Sequence, residues 1–217
     1  MSSFQPPRDW DAVYTATEDY FFGEEPSQIA RSAVQFFQMF GGDPAQSLAL
    51  DLGSGEGRDT AFLAAAGLRV TARDVSPAGL KKTQALLVRQ GIPADRVDMA
   101  REDVCDFAYP PDTYDLTLAA NVFQFLPPND APGHIERLKQ ATKTGGICAV
   151  GVFSPAMAEW GASIDGFFTA TADELMAYFP KDAGWMLLDR TEYWIYRPHF
   201  ETLGSFAYVV ARKQVPL

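Results

Sequence analysis

A run of glycines flanked by carboxylates, Asp51 to Arg58, is the segment of this sequence best suited to bind a small charged ligand. Its sequence is Asp-Leu-Gly-Ser-Gly-Glu-Gly-Arg, between a predicted strand at 47–52 and a predicted helix at 58–66. Glycines at a strand–helix turn allow positive φ and let the backbone approach a ligand closely. In an open α/β sheet this turn lies where ligands bind, beyond the carboxyl ends of the strands.

The spacing and charge of this loop separate two classes of ligand. A dinucleotide site needs a small residue three positions after its second glycine, and that position here is Arg58. The glycines are instead Gly53, Gly55 and Gly57, and Asp51 would repel a pyrophosphate. S-adenosylmethionine has no phosphate and carries a sulfonium and an ammonium against one carboxylate. We therefore predict S-adenosylmethionine as the cofactor and rank a nicotinamide-dependent oxidoreductase below it.

Two further carboxylates lie at the end of the second predicted strand and beyond the third. Asp74 lies 21 residues after Gly53, where a carboxylate can accept hydrogen bonds from ribose hydroxyls. Asp103 follows the third strand and can accept a bond from an adenine amino group. The competing interpretations are a helix-entry residue for Asp74 and a solvated loop acid for Asp103. The complete predicted cofactor set is Asp51, Gly53, Ser54, Gly55, Gly57, Asp74, Val75, Asp103, Val104 and Asn121.

Strand-like and helix-like segments alternate along the chain. The predicted strands are 47–52, 68–74, 97–100, 114–120 and 146–153, and the predicted helices are 58–66, 76–91, 132–142 and 171–179. This alternation predicts parallel βαβ units with helices on both faces of the sheet. Two long strands at 185–196 and 203–211 predict an antiparallel pair. The expected fold is a Rossmann-like α/β sheet, mostly parallel, with a C-terminal antiparallel hairpin.

The composition favours one domain and a small-molecule partner. The 217 residues suit a single domain, and a net charge of −10 disfavours nucleic acid and anionic membranes as partners. No apolar stretch approaches the roughly 20 residues that cross a bilayer, and no signal peptide is recognisable. We expect a cytoplasmic monomer or homodimer. Cys105, Cys148, His134 and His199 are scattered, so no metal site is predicted.

The first 45 residues are aromatic and precede every predicted strand. We expect them to form a helical lid over the core, residues 46–217, with Trp10, Tyr14, Tyr20 and Phe22 closing over the cofactor. Of these, Tyr14, Tyr20 and Phe22 are the predicted substrate contacts. Plain hydrophobic packing is an equal alternative for each of them.

Other candidates for the methyl acceptor side lie in the core. Asn121, at the end of the fourth strand, is expected near the reacting group, and a turn-capping role is the alternative. Phe123 and Gln124 follow it, and Trp160 lies in the loop after the fifth strand. Arg58 is the strongest of three candidate anion-binding arginines, because an arginine at a helix start is electrostatically unfavourable and implies a partner. The other two are Arg73 and Arg197.

The run from Leu50 to Gly57 resembles the first motif of class I S-adenosylmethionine-dependent methyltransferases. Several runs are similar to the tellurite-resistance methyltransferase group, and others to the wider set that includes thiopurine methyltransferase-like enzymes. The runs similar to the tellurite-resistance group are 57–60, 63–67, 114–116, 121–126, 167–169, 174–175 and 206–213. Those similar to the wider set are 10–14 and 22–26. The resemblance implies seven strands, with the cofactor at the glycine loop. It also implies a small, soft nucleophile as acceptor: a thiol, a chalcogen oxyanion, a halide or a hydrophobic heterocycle.

Methyl transfer is an in-line displacement in which the protein holds two reactants in line and excludes water. It needs neither a metal nor a covalent intermediate. We therefore expect a small-molecule methyltransferase with Asn121 and Arg58 as its catalytic candidates. The alternative from another class is a catalytically silent S-adenosylmethionine-binding sensor or partner subunit, which would keep Asp51, Gly53 and Asp74.

Overall fold

Short apolar strands and capped helices alternate along the chain, as the sequence pattern predicts. The structure is a computed structural model and describes residues 8–160, 162–197 and 202–214, with only the backbone described for Trp160, Tyr196, Arg197, Thr202 and Leu203. The helices are α1 (Trp10–Thr15), α2 (Gln28–Met39), α3 (Arg58–Ala65), α4 (Pro77–Arg89), α5 (Ala131–Ala141) and α6 (Ala172–Met176). The strands are β1 (Leu48–Leu52), β2 (Arg69–Asp74), β3 (Val97–Arg101), β4 (Tyr114–Ala120), β5 (Thr142–Phe153), β6 (Trp185–Arg197) and β7 (Thr202–Lys213).

The seven strands form one sheet in the order β3-β2-β1-β4-β5-β7-β6. Strands β1 to β5 pair in parallel, and β7 pairs antiparallel with both β5 and β6. The predicted fold class, with its C-terminal hairpin, is confirmed. The strand order reverses between β1 and β4, and a crevice opens at such a switch point beyond the carboxyl ends of the strands.

Side chains that alternate along the strands build an apolar core on each face of the sheet. Leu50 of β1 belongs to the cluster that packs against α5 and α6, together with Ile135 and Leu175. Its neighbour Ala49 belongs to the opposite cluster, which includes Ile29 of α2 and Leu86 of α4. The central strands are therefore fixed in register, since a shift of one residue would exchange the two faces.

Two element boundaries differ from the sequence prediction. Strand β5 begins at Thr142 rather than at 146, because its pairing with β4 shifts register between Tyr114 and Leu116 and so continues further toward the N-terminal end of the strand. Helix α6 ends at Met176, three residues before Phe179. The ring of Pro180 disfavours helical geometry in the residue before it, which shortens this helix.

The N-terminal helices have different positions. Helix α1 docks on the start of α4, where Asp11 accepts hydrogen bonds from the Ser76 hydroxyl (2.6 Å) and the Ala78 amide (2.9 Å). Helix α2 instead packs against the sheet and is part of its apolar cover. The lid predicted for residues 1–45 stays a prediction, and among the described residues of that segment those of α1 and the following loop lie at the crevice.

Candidate active site

A cavity of about 240 Å³ opens above the switch point of the sheet. Its floor is formed where the strands end, and its roof by α1 and the following loop. The floor residues, in strand order from β3 to β7, are Asp103, Asp74, Gly53, Asn121, Phe153 and Phe206. The cavity therefore has carboxylates over one half of the sheet and aromatic rings over the other.

The glycine loop is tied to the neighbouring strand. The amides of Gly53 and Ser54 both donate to the carbonyl of Arg73, at 2.8 and 3.0 Å. Gly53 has φ +73°, and a Cβ there would lie 2.5 Å from the Val122 side chain. Glycine is therefore required at this position for both conformation and space.

Gly57 has a different role from the one predicted. A Cβ on Gly57 would lie 2.4 Å from the Thr83 side chain of α4, so this glycine permits close packing of two helices. Gly57 is absent from the cavity wall, whereas Gly53, Ser54 and Gly55 all line it. The prediction that Gly57 contacts the cofactor is therefore not supported by its position.

Asp74 closes the loop from the side of β2. One carboxylate oxygen accepts a hydrogen bond from the Gly55 amide (2.7 Å), and the other accepts one from the Ser76 amide (2.8 Å). Burial raises the pKa of Asp74 despite these bonds. Each carboxylate oxygen keeps a second lone pair, so Asp74 can still accept hydrogen bonds from ribose hydroxyls in the cavity.

Asp51 is a buried acid on the cavity wall, with 1% of its surface exposed. It accepts a hydrogen bond of 2.5 Å from the Thr60 hydroxyl. Burial, reinforced by the charge of Asp59, raises the pKa of Asp51 to about 7. Asp59 also lines the cavity and accepts bonds from the amide and hydroxyl of Ser27 at 2.6 and 2.7 Å. A cationic ligand would be favoured beside this acidic pair.

Residues after β2 and β3 can enclose a flat base. Val75 is 49% exposed beside the cavity, and the partly buried Val104 also lines it. Asp103 is exposed, and one of its oxygens accepts the Cys105 amide at 2.8 Å. The structure thus brings together the predicted apolar pair and the acid expected near the adenine amino group.

Four buried side-chain atoms have no hydrogen-bond partner within the described part of the chain. They are Trp10 Nε1, Ser54 Oγ, Asn121 Oδ1 and Gln124 Oε1, and all four residues line the same cavity. A buried polar atom without a partner costs about 1–3 kcal/mol. A ligand that bonds to these atoms would recover that cost, so the cavity is organised for a polar guest.

Three of the four predicted lid residues line the cavity. Tyr14 and Phe22 line the cavity, and the Trp10 ring lies 5.5 and 5.6 Å from theirs. Arg58 also lines the cavity, donates a hydrogen bond to the Phe22 carbonyl (3.1 Å) and lies over the Phe22 ring. An arginine at this helix start was expected to have a partner, and for Arg58 that partner is Phe22 of the lid.

Two predicted substrate contacts lie elsewhere. The Tyr20 hydroxyl donates to the Lys82 carbonyl at 2.9 Å, and Tyr20 is absent from the cavity wall. Phe123 is fully buried in the core beside His134, because the turn after β4 directs it inward. Contrary to prediction, neither residue reaches the cavity. In this turn the residues that line the cavity are Gln124, as predicted, and Phe125, which the sequence did not indicate.

The remaining candidates divide into two groups. Arg73 lines the cavity but pairs with Asp98 (2.8 Å) and Glu102 (2.9 Å). The side chains of Trp160 and Arg197, and all of His199, lie outside the described residues, so their roles stay predictions.

The aromatic half of the cavity wall was not predicted from the sequence. Phe153 is the last residue of β5 and could have been identified from that position alone. Phe206 could not, because it reaches the cavity through the antiparallel pairing of β7, in which it is the register partner of Phe153.

No group of three or more His, Cys, Asp or Glu residues in the described ranges could hold a metal ion. The helices described there are all too short or too polar to cross a membrane. Residues 49–146 match a family described as a methyltransferase domain. The chain carries a methyltransferase domain. The match agrees with the methyltransferase predicted from the glycine loop and its flanking carboxylates.

Proteins similar to this methyltransferase domain differ in length and description. The chain is 30% identical over 180 residues to "Hemagglutinin 1" of Eikenella corrodens, covering 80% of this chain and 54% of that protein. It thus spans about half the length of that relative. TehB from Haemophilus influenzae has a TM-score of 0.67 at 23% identity, covering 85% of this chain and 62% of TehB.

A second similar structure is the 1,6-didemethyltoxoflavin-N1-methyltransferase of Burkholderia thailandensis, solved with 1,6-didemethyltoxoflavin and S-adenosylhomocysteine. It has a TM-score of 0.64 at 21% identity, and the match covers 95% of this chain and 86% of that one. At these identities the two structures establish a shared fold.

Proposed function

We propose that this methyltransferase domain transfers a methyl group from S-adenosylmethionine to a small, soft nucleophile. The observation that carries the proposal is that, among the described residues, all four whose buried polar side-chain atoms lack a hydrogen-bond partner line one cavity above the glycine loop. The similarity to a methyltransferase solved with a small heterocycle supports a small acceptor.

The acidic half of the cavity fits the cofactor. When bound, S-adenosylmethionine supplies a methyl group activated on a positively charged sulfur. Asp74 would accept the ribose hydroxyls, and Asp103 would accept the adenine amino group between Val75 and Val104. Asp51 and Asp59 supply the acidic environment that a cationic ligand requires, and a bound cation would favour the charged form of Asp51.

The remaining residues would position the reactants and exclude water. Trp10, Tyr14 and Phe22 cover the cavity from α1 and the following loop, and a dry site favours the displacement. Asn121 lies at the junction of the acidic and aromatic halves, where its unpartnered oxygen can orient the reacting groups. Arg58 is assigned a positioning role, because it holds the lid through the Phe22 carbonyl.

Two measurements test this function. Calorimetric titration with S-adenosylhomocysteine and, separately, with NAD should give binding of the first only. A panel of thiols, selenite, tellurite, halides and thiopurines, scored by S-adenosylhomocysteine release, should identify an acceptor. Binding without turnover on any acceptor would favour the sensor alternative, and binding of NAD alone would refute the proposal. A cytoplasmic location and a monomeric or dimeric state also remain predictions.

A further inference from the structure

The half of the cavity above β4, β5 and β7 is chemically distinct from the half above β3, β2 and β1. Its wall consists of buried apolar side chains, to which Phe153, Met157 and Phe206 contribute with 7, 2 and 5% of their surface exposed. Phe125 completes this wall. We call these four residues the aromatic wall.

Edge-to-face contacts fix the rings of the aromatic wall. The Phe125 ring lies 5.7 Å from Phe153 and 5.3 Å from Trp10, with interplanar angles of 78° and 76°. Phe153 in turn lies 5.6 Å from Phe206. Rings held in this way offer defined faces and edges to a guest, and a flat aromatic ligand can form the same kinds of contact.

Two of the unpartnered polar atoms belong to this half. Gln124 is 1% exposed and its Oε1 has no partner, while the buried Trp10 Nε1 has an unused hydrogen. The first is an acceptor and the second can only donate. A ligand that bonds to both atoms therefore carries one hydrogen-bond donor and one acceptor and is otherwise apolar.

The charges near the cavity oppose an anionic guest. Among side chains that the structure describes, the cavity arginines are three, Arg8, Arg58 and Arg73, and they are outnumbered by six acidic residues of the same wall, Asp51, Glu56, Asp59, Asp74, Glu102 and Asp103. Arg8 donates to the Gly166 carbonyl (2.9 Å) and lies over the Phe167 ring, Arg58 binds the lid, and Arg73 pairs with two carboxylates. An oxyanion among the phenylalanines would lose its hydration without gaining a dedicated cation.

We infer that the methyl acceptor is a neutral aromatic heterocycle that carries an N–H donor beside a hydrogen-bond acceptor. The inference rests on the proposed function and narrows its acceptor. A lone pair on the sulfur or nitrogen of the heterocycle forms a bond to the methyl carbon. The carbon–sulfonium bond breaks, its electron pair stays on the cofactor sulfur, and the proton of the acceptor passes to water.

The test uses three probes with the full chain saturated with S-adenosylhomocysteine. Benzimidazole-2-thiol has the planar body, the donor and the acceptor; cyclohexanethiol lacks the plane and the N–H; selenite is an oxyanion. Calorimetry should show benzimidazole-2-thiol binding at least about 50-fold more tightly than either of the other two. Equal or tighter binding of selenite or cyclohexanethiol would overturn the inference.

Two pairs of variants locate the site. Gln124→Leu and Trp10→Phe should each weaken benzimidazole-2-thiol binding about tenfold, the effect of one lost hydrogen bond of about 1.4 kcal/mol. The controls are Gln140→Leu and Trp194→Phe, the same changes at exposed positions, which should leave binding unaltered. Unchanged affinity in both cavity variants would overturn the inference. S-adenosylhomocysteine is titrated first and alone, so a failure of the proposed function itself is detected separately.

Discussion

The carboxylate of Asp74 accepts a hydrogen bond of 2.7 Å from the amide of Gly55, so the end of β2 holds the glycine loop that follows β1. The loop is held a second time through the Arg73 carbonyl, which accepts from the amides of Gly53 and Ser54. The shape of the loop and the position of the ribose-binding acid are therefore coupled. A change in one is expected to disturb the other.

Replacing Asp74 tests its role in cofactor binding. Asp74→Ala removes the acceptor for the ribose hydroxyls and should weaken S-adenosylhomocysteine binding by roughly 1.5–3 kcal/mol, as for hydrogen bonds to a charged group. Titration calorimetry measures the effect, and circular dichroism verifies that the variant is folded. Asp95→Ala, at an exposed acid before β3, is the control. Wild-type affinity in a folded Asp74 variant would refute the assignment.

Gly53 should be far less tolerant of a side chain than another glycine with the same backbone conformation. Gly53 and Gly91 have φ of +73° and +68°, but only the Cβ at Gly53 would collide with a neighbour, Val122. Gly91→Ala should cost about 1–2 kcal/mol of left-handed strain. Gly53→Ala should cost at least about 1 kcal/mol more, because the Val122 contact adds overpacking. Urea denaturation compares the two, and equal losses would show that Val122 moves aside freely.

The sheet and the acidic half of the site were predictable because their signals are local. Asp51 and Asp74 lie at the ends of β1 and β2, and Asp103 lies just beyond β3. Local residues define each of these strands, and parallel strands bring their carboxyl ends to one edge. The aromatic wall depends on non-local pairing. Phe206 reaches the cavity only because β7 runs antiparallel beside β5, and no short sequence pattern encodes that register.

The turn after β4 shows why side-chain direction was harder to predict. Asn121 has φ +61°, and the next residues form a single 3-10 turn, Phe123–Phe125. The resulting reversal sends Phe123 into the core and brings Gln124 and Phe125 to the cavity. The residue types alone do not predict such a reversal. Tyr20 was misassigned for a similar reason, since its backbone partner, Lys82, is remote in sequence.

The stability of the ligand-free protein should fall as the pH rises from about 4 to 7. Burial raises the pKa of Asp51 to about 7, so the folded protein holds this proton after the unfolded chain has released its own. The free energy of unfolding then decreases by up to about 1.4 kcal/mol per pH unit in that window. Asp51→Asn keeps an acceptor for Thr60 and cannot titrate, so its stability should depend less on pH.

Chemical denaturation of both proteins at pH 4, 5, 6, 7 and 8 measures this difference. Asp74 also has a raised pKa, and its charge acts on Asp51, so its own titration changes in the variant. The difference between the two curves therefore reports Asp51 together with its coupling to the neighbouring carboxylates. Parallel curves would contradict the raised pKa of Asp51.

We predict that turnover requires the side chain of Asn121 and not only the left-handed backbone conformation that this residue adopts in the turn. Asn121→Gly keeps the left-handed backbone at low cost, so its stability should stay within about 1 kcal/mol of the wild type. The variant loses the unpartnered Oδ1 of a cavity residue. Turnover, measured by S-adenosylhomocysteine release with whichever acceptor the panel of nucleophiles reveals, should fall about 10- to 100-fold. Asp112→Gly is the matched control, because Asp112 also has positive φ but lies outside the cavity. If both glycine variants turn over at the wild-type rate, Asn121 serves the turn alone, and the junction of the two halves needs no polar side chain.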